Sequence, residues 1–234
     1  MRTMAFVFAR GGSKGLPRKN LRLLAGRPLI AHAIDVARQV VNPADVYVST
    51  DSEEIAAVAR DNGAKTIPRE SKLSEDHSPE WDAWVHAVQW VLGRVGPFDR
   101  FLSLPPTAPL RSVADVESAL AALDDRSDFV VTMTRAARSP WFNMVQHTSD
   151  GLRTVLDAGG KLISRRQDTP TVYDLTTVAY VTRPQFILEN KSYWDGRVEG
   201  VEIPPERAVD IDSELDFHFA EYLMARREKE GFDA

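Results

Sequence analysis

Glycines and cations follow the first apolar run of the chain, in the segment FVFARGGSKGLPRKN at 6–20. A glycine turn directly after a strand exposes backbone N–H groups, and four cations surround this one: Arg10, Lys14, Arg18 and Lys19. Such a turn can wrap a triphosphate. The spacing fits neither the Walker A motif nor the GxGxxG fingerprint. The segment therefore predicts a phosphate-binding loop, with a solvated basic turn as the alternative.

Two carboxylates stand near the other end of the chain, in VDIDSELD at 209–216. Asp210 and Asp212 are two residues apart, so in an extended segment both side chains point to the same side. Mg²⁺ takes oxygen ligands and shares them with substrate phosphates. The pair thus predicts a magnesium site. The alternative is a helix N-terminus capped by Asp212, which leaves Asp210 without a role.

The elements that must position these groups alternate between strand and helix. Apolar strands are predicted at 4–9, 45–50, 64–69, 99–106 and 128–135, and helices at 28–41, 52–61, 81–95 and 113–123. Ser78 before Pro79 predicts the start of the third helix near Pro79. The alternative is that Asp76, Ser78 and Asp82 border a bound nucleotide. The pattern predicts an α/β fold, a Rossmann-like, mainly parallel sheet flanked by helices. Because ligands bind beyond the carboxyl ends of such strands, the loops there should converge.

The pattern changes at 138–170, where short strands and turns predict a hairpin-like excursion from the main sheet. A strand then resumes at 172–184, and a helix closes the chain at 212–229. Ser213 and Asp216 stand at capping-box spacing at the start of that helix.

The 234 residues carry a formal net charge of −5 and include no cysteine. A net acidic chain argues against a general nucleic-acid-binding protein. The lack of cysteine excludes disulfides, thiolate zinc sites and cysteine nucleophiles, and it fits a cytoplasmic protein. No apolar run is long enough for a signal segment or a membrane span. We therefore predict a soluble, unprocessed cytoplasmic protein that binds neither nucleic acid nor membrane.

Five segments stand in a recognisable order and spacing along nearly the whole chain. They are FARGGSKGLPRKNLRLLAGRPLIAHAI, VYVSTDSEEIAAVARDNGAKTIPRESKLSEDHSP, LPPTAPLR, RRQDTPTVY and VDIDSELD. Together they resemble cytidylyltransferases of the CMP-acylneuraminate (CMP-sialic acid) synthetase group, relatives of CMP-KDO synthetase. The resemblance implies one cytidylyltransferase domain over 1–234 with a nucleotidyltransferase or glycosyltransferase-A-like fold. It also implies that the hydroxyl of an acidic sugar attacks the α-phosphorus of CTP, that pyrophosphate leaves, and that a CMP-linked product forms.

The resemblance implies roles for individual residues as well. The family's nucleotide and phosphate loop corresponds here to Arg10, Ser13, Lys14, Lys19 and Asn20. The family's arginine near the cytidine corresponds to Arg69. With the glycine turn, the expected nucleotide-binding set is Ala9, Arg10, Gly11, Gly12, Ser13, Lys14, Lys19, Asn20, Arg69 and Arg111. Its metal pair matches Asp210 and Asp212 and is expected to hold Mg²⁺. The expected catalytic residues are Arg10, Lys14, Lys19 and Asp212. Family members are usually homodimers, so 138–170 is expected to contact the partner subunit.

Two segments depart from the family pattern on the acceptor side. Sialate-activating members typically read LLQPTSPLR, and this chain has Pro105 in place of the glutamine. They also typically read RPNGA where this chain has DLTTV, so Asp174 replaces an arginine and Thr176 an asparagine. The acceptor is accordingly left open among acylneuraminates, other nonulosonates such as legionaminate or pseudaminate, KDO-like acids and small phosphonate acids.

Four residues are the remaining candidates for binding the acidic acceptor: Arg165, Arg166, Gln167 and Tyr173. Adjacent cations can meet a carboxylate in bidentate fashion, with a surface pair as the alternative. Arg111, which also belongs to the expected nucleotide-binding set, has the same two interpretations: it binds the carboxylate of the acceptor, or it is a surface cation. Two other function classes stay open, a glycosyltransferase that uses a nucleotide-sugar donor and a non-catalytic nucleotide-binding paralogue. The position of the acid pair near the C-terminus argues against the first, and the complete loop and acid pair argue against the second.

Overall fold

The computed structural model describes residues 1–12, 15–75, 77–160 and 163–230. Its strands are β1 (Thr3–Phe8), β2 (Leu23–Leu24), β3 (Arg27–Pro28), β4 (Val46–Thr50), β5 (Lys65–Pro68), β6 (Arg100–Ser103), β7 (Phe129–Arg135), β8 (Val145–Thr148), β9 (Gly151–Thr154), β10 (Tyr173–Thr182) and β11 (Val198–Glu202). Its helices are α1 (Leu29–Val40), α2 (Glu53–Asp61), α3 (Glu80–Arg94), α4 (Val113–Ala122), α5 (Pro184–Glu189) and α6 (Glu214–Glu230).

Seven strands form one sheet in the order β11-β7-β10-β6-β1-β4-β5. All neighbouring strands in it are parallel except β10, which runs antiparallel to both β6 and β7. The mainly parallel α/β sheet predicted from the alternating elements is therefore confirmed. The edge strand β11 was not predicted, because its sequence VEGVE is short and half polar.

Helices cover both faces of the sheet because the side chains of each central strand alternate between two apolar layers. Ala5 and Val7 of β1 pack in one buried cluster with residues of α1, α2 and α4. Met4 and Phe6 pack in the other with residues of α3, whose Trp84 is buried. Strands buried on both faces explain why the sequence shows near-continuous apolar runs.

The last helix packs beside the first loop of the chain. Phe217 of α6 is buried in a third apolar cluster with Leu16, Leu24 and Ile211. The guanidinium of Arg22 lies 4.1 Å from the centre of the Phe217 ring, a cation–π contact, and it also forms an ion pair with Glu214. These contacts bring residues from the two ends of the sequence together.

Two helix starts decide between alternatives that the sequence left open. Ser213 caps α6, since its backbone N–H donates to Asp216 Oδ2 at 2.8 Å and its Oγ accepts from Asp216 N at 3.4 Å. The capping box is confirmed, and Asp212 is not the cap residue. The prediction that Ser78 starts α3 is wrong: Pro79 precedes the helix, and the Ser78 hydroxyl donates to the Lys72 carbonyl at 2.6 Å instead.

The segment at 138–170 departs from the main sheet, as its sequence predicts. Strands β8 and β9 pair only with each other, as an antiparallel hairpin. Several of its apolar side chains are exposed, among them Met144, Val145, Leu152 and Leu156. Among the described residues, no helix combines the length and the apolar character needed to cross a lipid bilayer.

Candidate active site

A cleft of about 510 Å³ opens beyond the carboxyl ends of β1 and β6. We call it the main cleft, and its lining residues are Phe8, Arg10, Gly15, Lys19, Asn20, Glu80, Pro105, Pro106, Thr107, Thr177, Asp210 and Asp212. The cleft therefore contains residues from the basic loop, the prolines after β6 and the acid pair. The structure brings these separate segments together at the edge of the sheet where their sequence positions place them.

The loop at 9–20, which we call the nucleotide loop, is held at both ends by hydrogen bonds to the protein. The N–H of Ala9 donates to the Ser49 carbonyl at 3.1 Å, and the amide of buried Asn20 donates to the Arg10 carbonyl at 3.1 Å. Ser13 and Lys14 lie outside the described residues. The loop is thus built onto β4 and onto its own return segment.

One backbone group of the nucleotide loop is already engaged. The N–H of Gly11 donates to Asp51 Oδ1 at 2.9 Å. A phosphate would have to displace this carboxylate to reach that N–H group. Gly12 is exposed, and a Cβ there would meet nothing within 4 Å. The expectation that the glycine turn offers its backbone to a phosphate therefore rests on Gly12 more than on Gly11.

Lys19 joins the nucleotide loop to the acid pair. Its Nζ donates to the Ile211 carbonyl at 2.7 Å and to Asp212 Oδ1 at 2.9 Å. Gly15 allows this approach, because a Cβ there would lie 2.4 Å from the Asp212 carbonyl oxygen. Any side chain at Gly15 would force the loop and the segment at 209–212, which we call the acidic segment, apart.

The two carboxylates of the acidic segment differ in environment. The Asp212 side chain is 75% exposed, whereas Asp210 is half-buried and its Oδ1 has no hydrogen-bond partner among the described residues. Burial raises the pKa of Asp210, and the negative charge of Asp212 raises it further. Hydrogen bonds with the Thr107 and Thr177 side chains and the positive charge of Lys19 oppose that rise. A buried acceptor oxygen without a partner is a position that a cation would satisfy.

The acid pair fits a magnesium ion by its chemistry. Both side chains line the main cleft and supply oxygen, the ligand atom that Mg²⁺ prefers. Within the described part of the chain, no cluster of three or more His, Cys, Asp or Glu side chains is arranged to hold a metal. One or two carboxylates plus substrate phosphates are the usual ligand set for Mg²⁺.

Arg69 directly follows β5 and, with Asp51, lines a second cavity of about 220 Å³; it is not among the residues that line the main cleft. Burial lowers the pKa of its guanidinium, and the charges of Asp51 and Glu80 oppose that shift. Its Nε and Nη2 are buried and have no partner within the described part of the chain. The nucleotide-binding role expected for Arg69 stays a prediction.

Glu80 lines the main cleft although the sequence did not single it out. It is the first residue of α3, and its carboxylate accepts from Trp84 Nε1 at 3.3 Å. Surrounding protein raises the pKa of Glu80 even though the side chain stays accessible from the cleft. An acid in the first turn of a helix is usual because it complements the helix dipole, so the sequence carries no separate signal for this position.

The side of the main cleft formed by Pro105, Thr107 and Thr177 lies where the sequence departs from the family pattern; we call it the threonine wall. The pairing of β10 with β7 shifts register between Thr176 and Tyr180, which marks a bulge. A bulge redirects side chains. Thr176 is consequently buried, and its hydroxyl donates to Thr132 Oγ1 at 2.8 Å, while Thr177 lines the cleft. Of the two neighbouring threonines, Thr177 and not Thr176 is among the residues that line the main cleft.

Arg111 is not among the cleft-lining residues and lies fully buried beside the threonine wall. Its Nη2 donates to the carbonyl oxygens of Pro105 and Thr177, the second at 3.2 Å. Burial lowers its pKa to about 9, and the charges of Asp210 and Asp115 oppose the shift.

The four acceptor candidates lie elsewhere on the chain. Arg165 forms an ion pair with Asp168, and Arg166 donates to the Ala137 carbonyl at 2.6 Å. Gln167 is exposed, and Tyr173 at the start of β10 is 41% exposed. None of these four lines the main cleft of its own chain.

Comparison with known proteins matches the family model described as cytidylyltransferase over residues 4–176. The chain is 33% identical to post-translational flagellin modification protein B of Campylobacter coli, with 97% of each chain covered. It is 31% identical to CMP-N,N'-diacetyllegionaminic acid synthase of Legionella pneumophila, covering 96% of this chain and 97% of that one.

A solved structure shares the fold. CMP:2-keto-3-deoxy-manno-octonic acid synthetase complexed with CTP superposes with a TM-score of 0.69 at 19% identity, covering 97% of this chain and 100% of that chain. That identity is low, so the likeness shows the architecture alone. The family model covers most of the sequence, and these two relatives align along almost their whole length. The chain belongs to the cytidylyltransferase family.

Proposed function

We propose that this cytidylyltransferase transfers CMP from CTP to a nonulosonic acid, with Mg²⁺ held by Asp210 and Asp212. The observation that carries the proposal is the ion pair between Lys19 and Asp212 inside the main cleft. It joins a basic loop that suits a triphosphate to a carboxylate pair that suits a metal. Nucleotidyl transfer needs these two features side by side.

The reaction requires positioning and charge neutralisation more than a protein nucleophile. The acceptor hydroxyl oxygen forms a bond to the α-phosphorus of CTP, the bond to the departing pyrophosphate breaks, and the hydroxyl proton is released. Bound Mg²⁺ supplies positive charge to the phosphate oxygens. Arg10 and Lys19 line the cleft and hold the phosphates. Lys14 is expected to join them from the same loop.

The expected acceptor is a nonulosonic acid because the relatives that align over their full length include synthases named for such sugars. The Legionella pneumophila relative is named for N,N'-diacetyllegionaminic acid. A relative from Streptococcus agalactiae, 29% identical, is named N-acylneuraminate cytidylyltransferase, and the chain covers 56% of its length. We place the acceptor against the threonine wall, where the chain differs from the sialate pattern. A legionaminate-like acid is therefore the first candidate.

We further propose that two chains form a homodimer through the hairpin of β8 and β9. Exposed apolar side chains on and beside this hairpin, such as Val145 and Leu152, would be buried by a second copy. In such a dimer Arg165, Arg166 and Gln167 would bind the acceptor in the partner's cleft, since they lie away from their own. Because CTP is a cytoplasmic metabolite, we place the enzyme in the cytoplasm.

The test is pyrophosphate release with each of the four NTPs and Mg²⁺ against a panel of acids. The panel contains N-acetylneuraminate, a legionaminate, a pseudaminate, KDO and a small phosphonate. We expect release with CTP and a nonulosonate only, and loss of turnover in Asp212→Asn. Release with KDO or the phosphonate alone would overturn the acceptor assignment, and release with an NTP other than CTP would overturn the choice of donor.

A further inference from the structure

The side chain of Arg111 is 2% exposed, which is unusual for an arginine. It follows the LPPTAPL segment after β6 and does not reach the surface of the main cleft. Its Nε and Nη1 are buried without a partner among the described residues. A buried cation with unused donors is unfavourable for stability, so a specific contact must account for its presence.

That contact is a bridge between two loops. Arg111 Nη2 donates to the carbonyl oxygen of Pro105 on one loop and, at 3.2 Å, to that of Thr177 on the bulge of β10. Two carbonyl oxygens that share one donor lie close together and repel each other when the donor is removed. The guanidinium therefore sets the spacing between the two parts of the threonine wall.

The direct side-chain contact across the same wall is long. Thr107 Oγ1 and Thr177 Oγ1 lie 3.4 Å apart, at the long end of hydrogen-bond distances. Thr132 anchors the bulge from behind, because its Oγ1 accepts from Ala179 N at 3.1 Å and from Thr176 Oγ1. Thr132 fixes the bulge to β7. Asp210, which hydrogen-bonds to both Thr107 and Thr177, and the packing of Ala108 against Val178 also connect the bulge to the Pro105 loop. The Arg111 guanidinium is the group that bonds directly to backbone carbonyl oxygens on both sides.

Pairing with an acidic side chain does not explain why Arg111 is buried. Asp115 lies within electrostatic reach, but its two oxygens already accept from Arg207 at 2.8 and 2.9 Å. Asp210 lowers the energy of the Arg111 cation through space and forms no ion pair with it within the described part of the chain. Arg111 thus contributes geometry that a lysine, with a single charged point, would not reproduce.

We propose that Arg111 is a positioning residue that sets the threonine wall for the acceptor and does not contact CTP. This inference rests on the proposed function, in which that wall receives the acceptor. It replaces the nucleotide-binding role expected for Arg111 from the sequence.

The test is steady-state kinetics of Arg111→Lys, which keeps the charge and removes the two-carbonyl bridge. Arg183→Lys is the matched control, since Arg183 also joins two carbonyls, those of Ser127 and Asp124, at 2.9 and 2.8 Å. Those carbonyls precede β7, at the opposite end of the sheet. We expect Arg111→Lys to raise the KM for the acceptor about tenfold, with the KM for CTP within about twofold and the Mg²⁺ dependence unchanged. The control should change none of the three.

A rise in the KM for CTP equal to that for the acceptor would overturn the proposal. If Arg111→Lys does not fold, Thr132→Val provides the second variant, because it loosens the bulge without touching Arg111. An unchanged acceptor KM in Thr132→Val would also count against control by the wall.

Hydrogen exchange separates this proposal from the proposed function because it needs no acceptor. In Arg111→Lys, amides at 107–110 and 175–179 should exchange faster than in the wild type, and in Arg183→Lys they should not. Unchanged exchange at both segments would refute the bridge even if the acceptor were identified. Silence of the wild-type enzyme across the whole acceptor panel, with faster exchange in the variant, would instead refute the proposed acceptor and leave the bridge supported.

Discussion

Asp210→Asn should make the metal-free protein more stable at neutral pH while it abolishes efficient turnover. The Asp210 carboxylate is half-buried, its Oδ1 is unpartnered among the described residues, and Asp212 adds a like charge. Relief of a charged, incompletely bonded buried group is worth about 1 kcal/mol. For a chain of 234 residues that corresponds to a rise in Tm of about 2–4 °C.

The gain in stability of Asp210→Asn should increase with pH. Burial raises the folded-state pKa of Asp210 above its ordinary value, so ionisation is less favourable in the folded than in the unfolded chain. The penalty is fully present above the folded-state pKa and absent below the ordinary value near 4. The difference in Tm between Asp210→Asn and the wild type should therefore be largest at pH 7 and shrink as the pH falls to about 4.

Thermal unfolding in EDTA at several pH values measures this, and Asp212→Asn is the matched control. The Asp212 side chain is 75% exposed and pairs with Lys19. Loss of this ion pair should lower the free energy of unfolding by no more than about 1 kcal/mol, so Tm should stay the same or fall slightly. Both variants should lose turnover. A lower Tm for Asp210→Asn at pH 7, or a gain that stays constant down to pH 4, would refute the argument.

Three further variants test the contacts of the cleft and the hairpin. Gly15→Ala should lower kcat about tenfold or more, because its Cβ would meet the backbone of the acidic segment at 2.4 Å. Gly93→Ala in α3, where a Cβ would meet nothing within 4 Å, is the control and should have little effect on kcat. Lys19→Ala should raise the KM for CTP about tenfold or more and leave the KM for the acceptor within about twofold; equal effects on both would contradict its nucleotide role. Leu152→Glu should yield monomers in sedimentation velocity, while Arg153→Glu, on the other face of β9, should not; a dimer that survives Leu152→Glu would exclude this hairpin face as the interface.

Much of the fold is readable from local patterns because the strands of the sheet are buried on both faces. Continuous apolar runs predicted β1, β4, β6 and β7, and the order of elements predicted a mainly parallel sheet. The convergence of loops at the carboxyl ends followed from that topology, and the main cleft indeed combines Arg10, Lys19 and Asp210. Strand β11 escaped prediction because an edge strand needs little apolar sequence.

The parts of the site that escaped prediction depend on tertiary contacts. A register shift within β10 decides that Thr177 and not Thr176 faces the cleft, and no residue pattern marks such a shift. The sequence does not distinguish an arginine that binds a ligand from one that binds two buried carbonyl oxygens. The burial of Arg111 is therefore visible only in the folded structure. Glu80 resembles an ordinary first-turn acid until α3 is placed beside the cleft.

The contact between the nucleotide loop and the acidic segment has a consequence for biosynthesis. Every strand of the main sheet is complete by Glu202, whereas Asp210 and Asp212 come later in the chain. All residues of the sheet and of the basic loop are therefore synthesised before either carboxylate. Until then Lys19 lacks the carboxylate and carbonyl to which it donates in the finished protein.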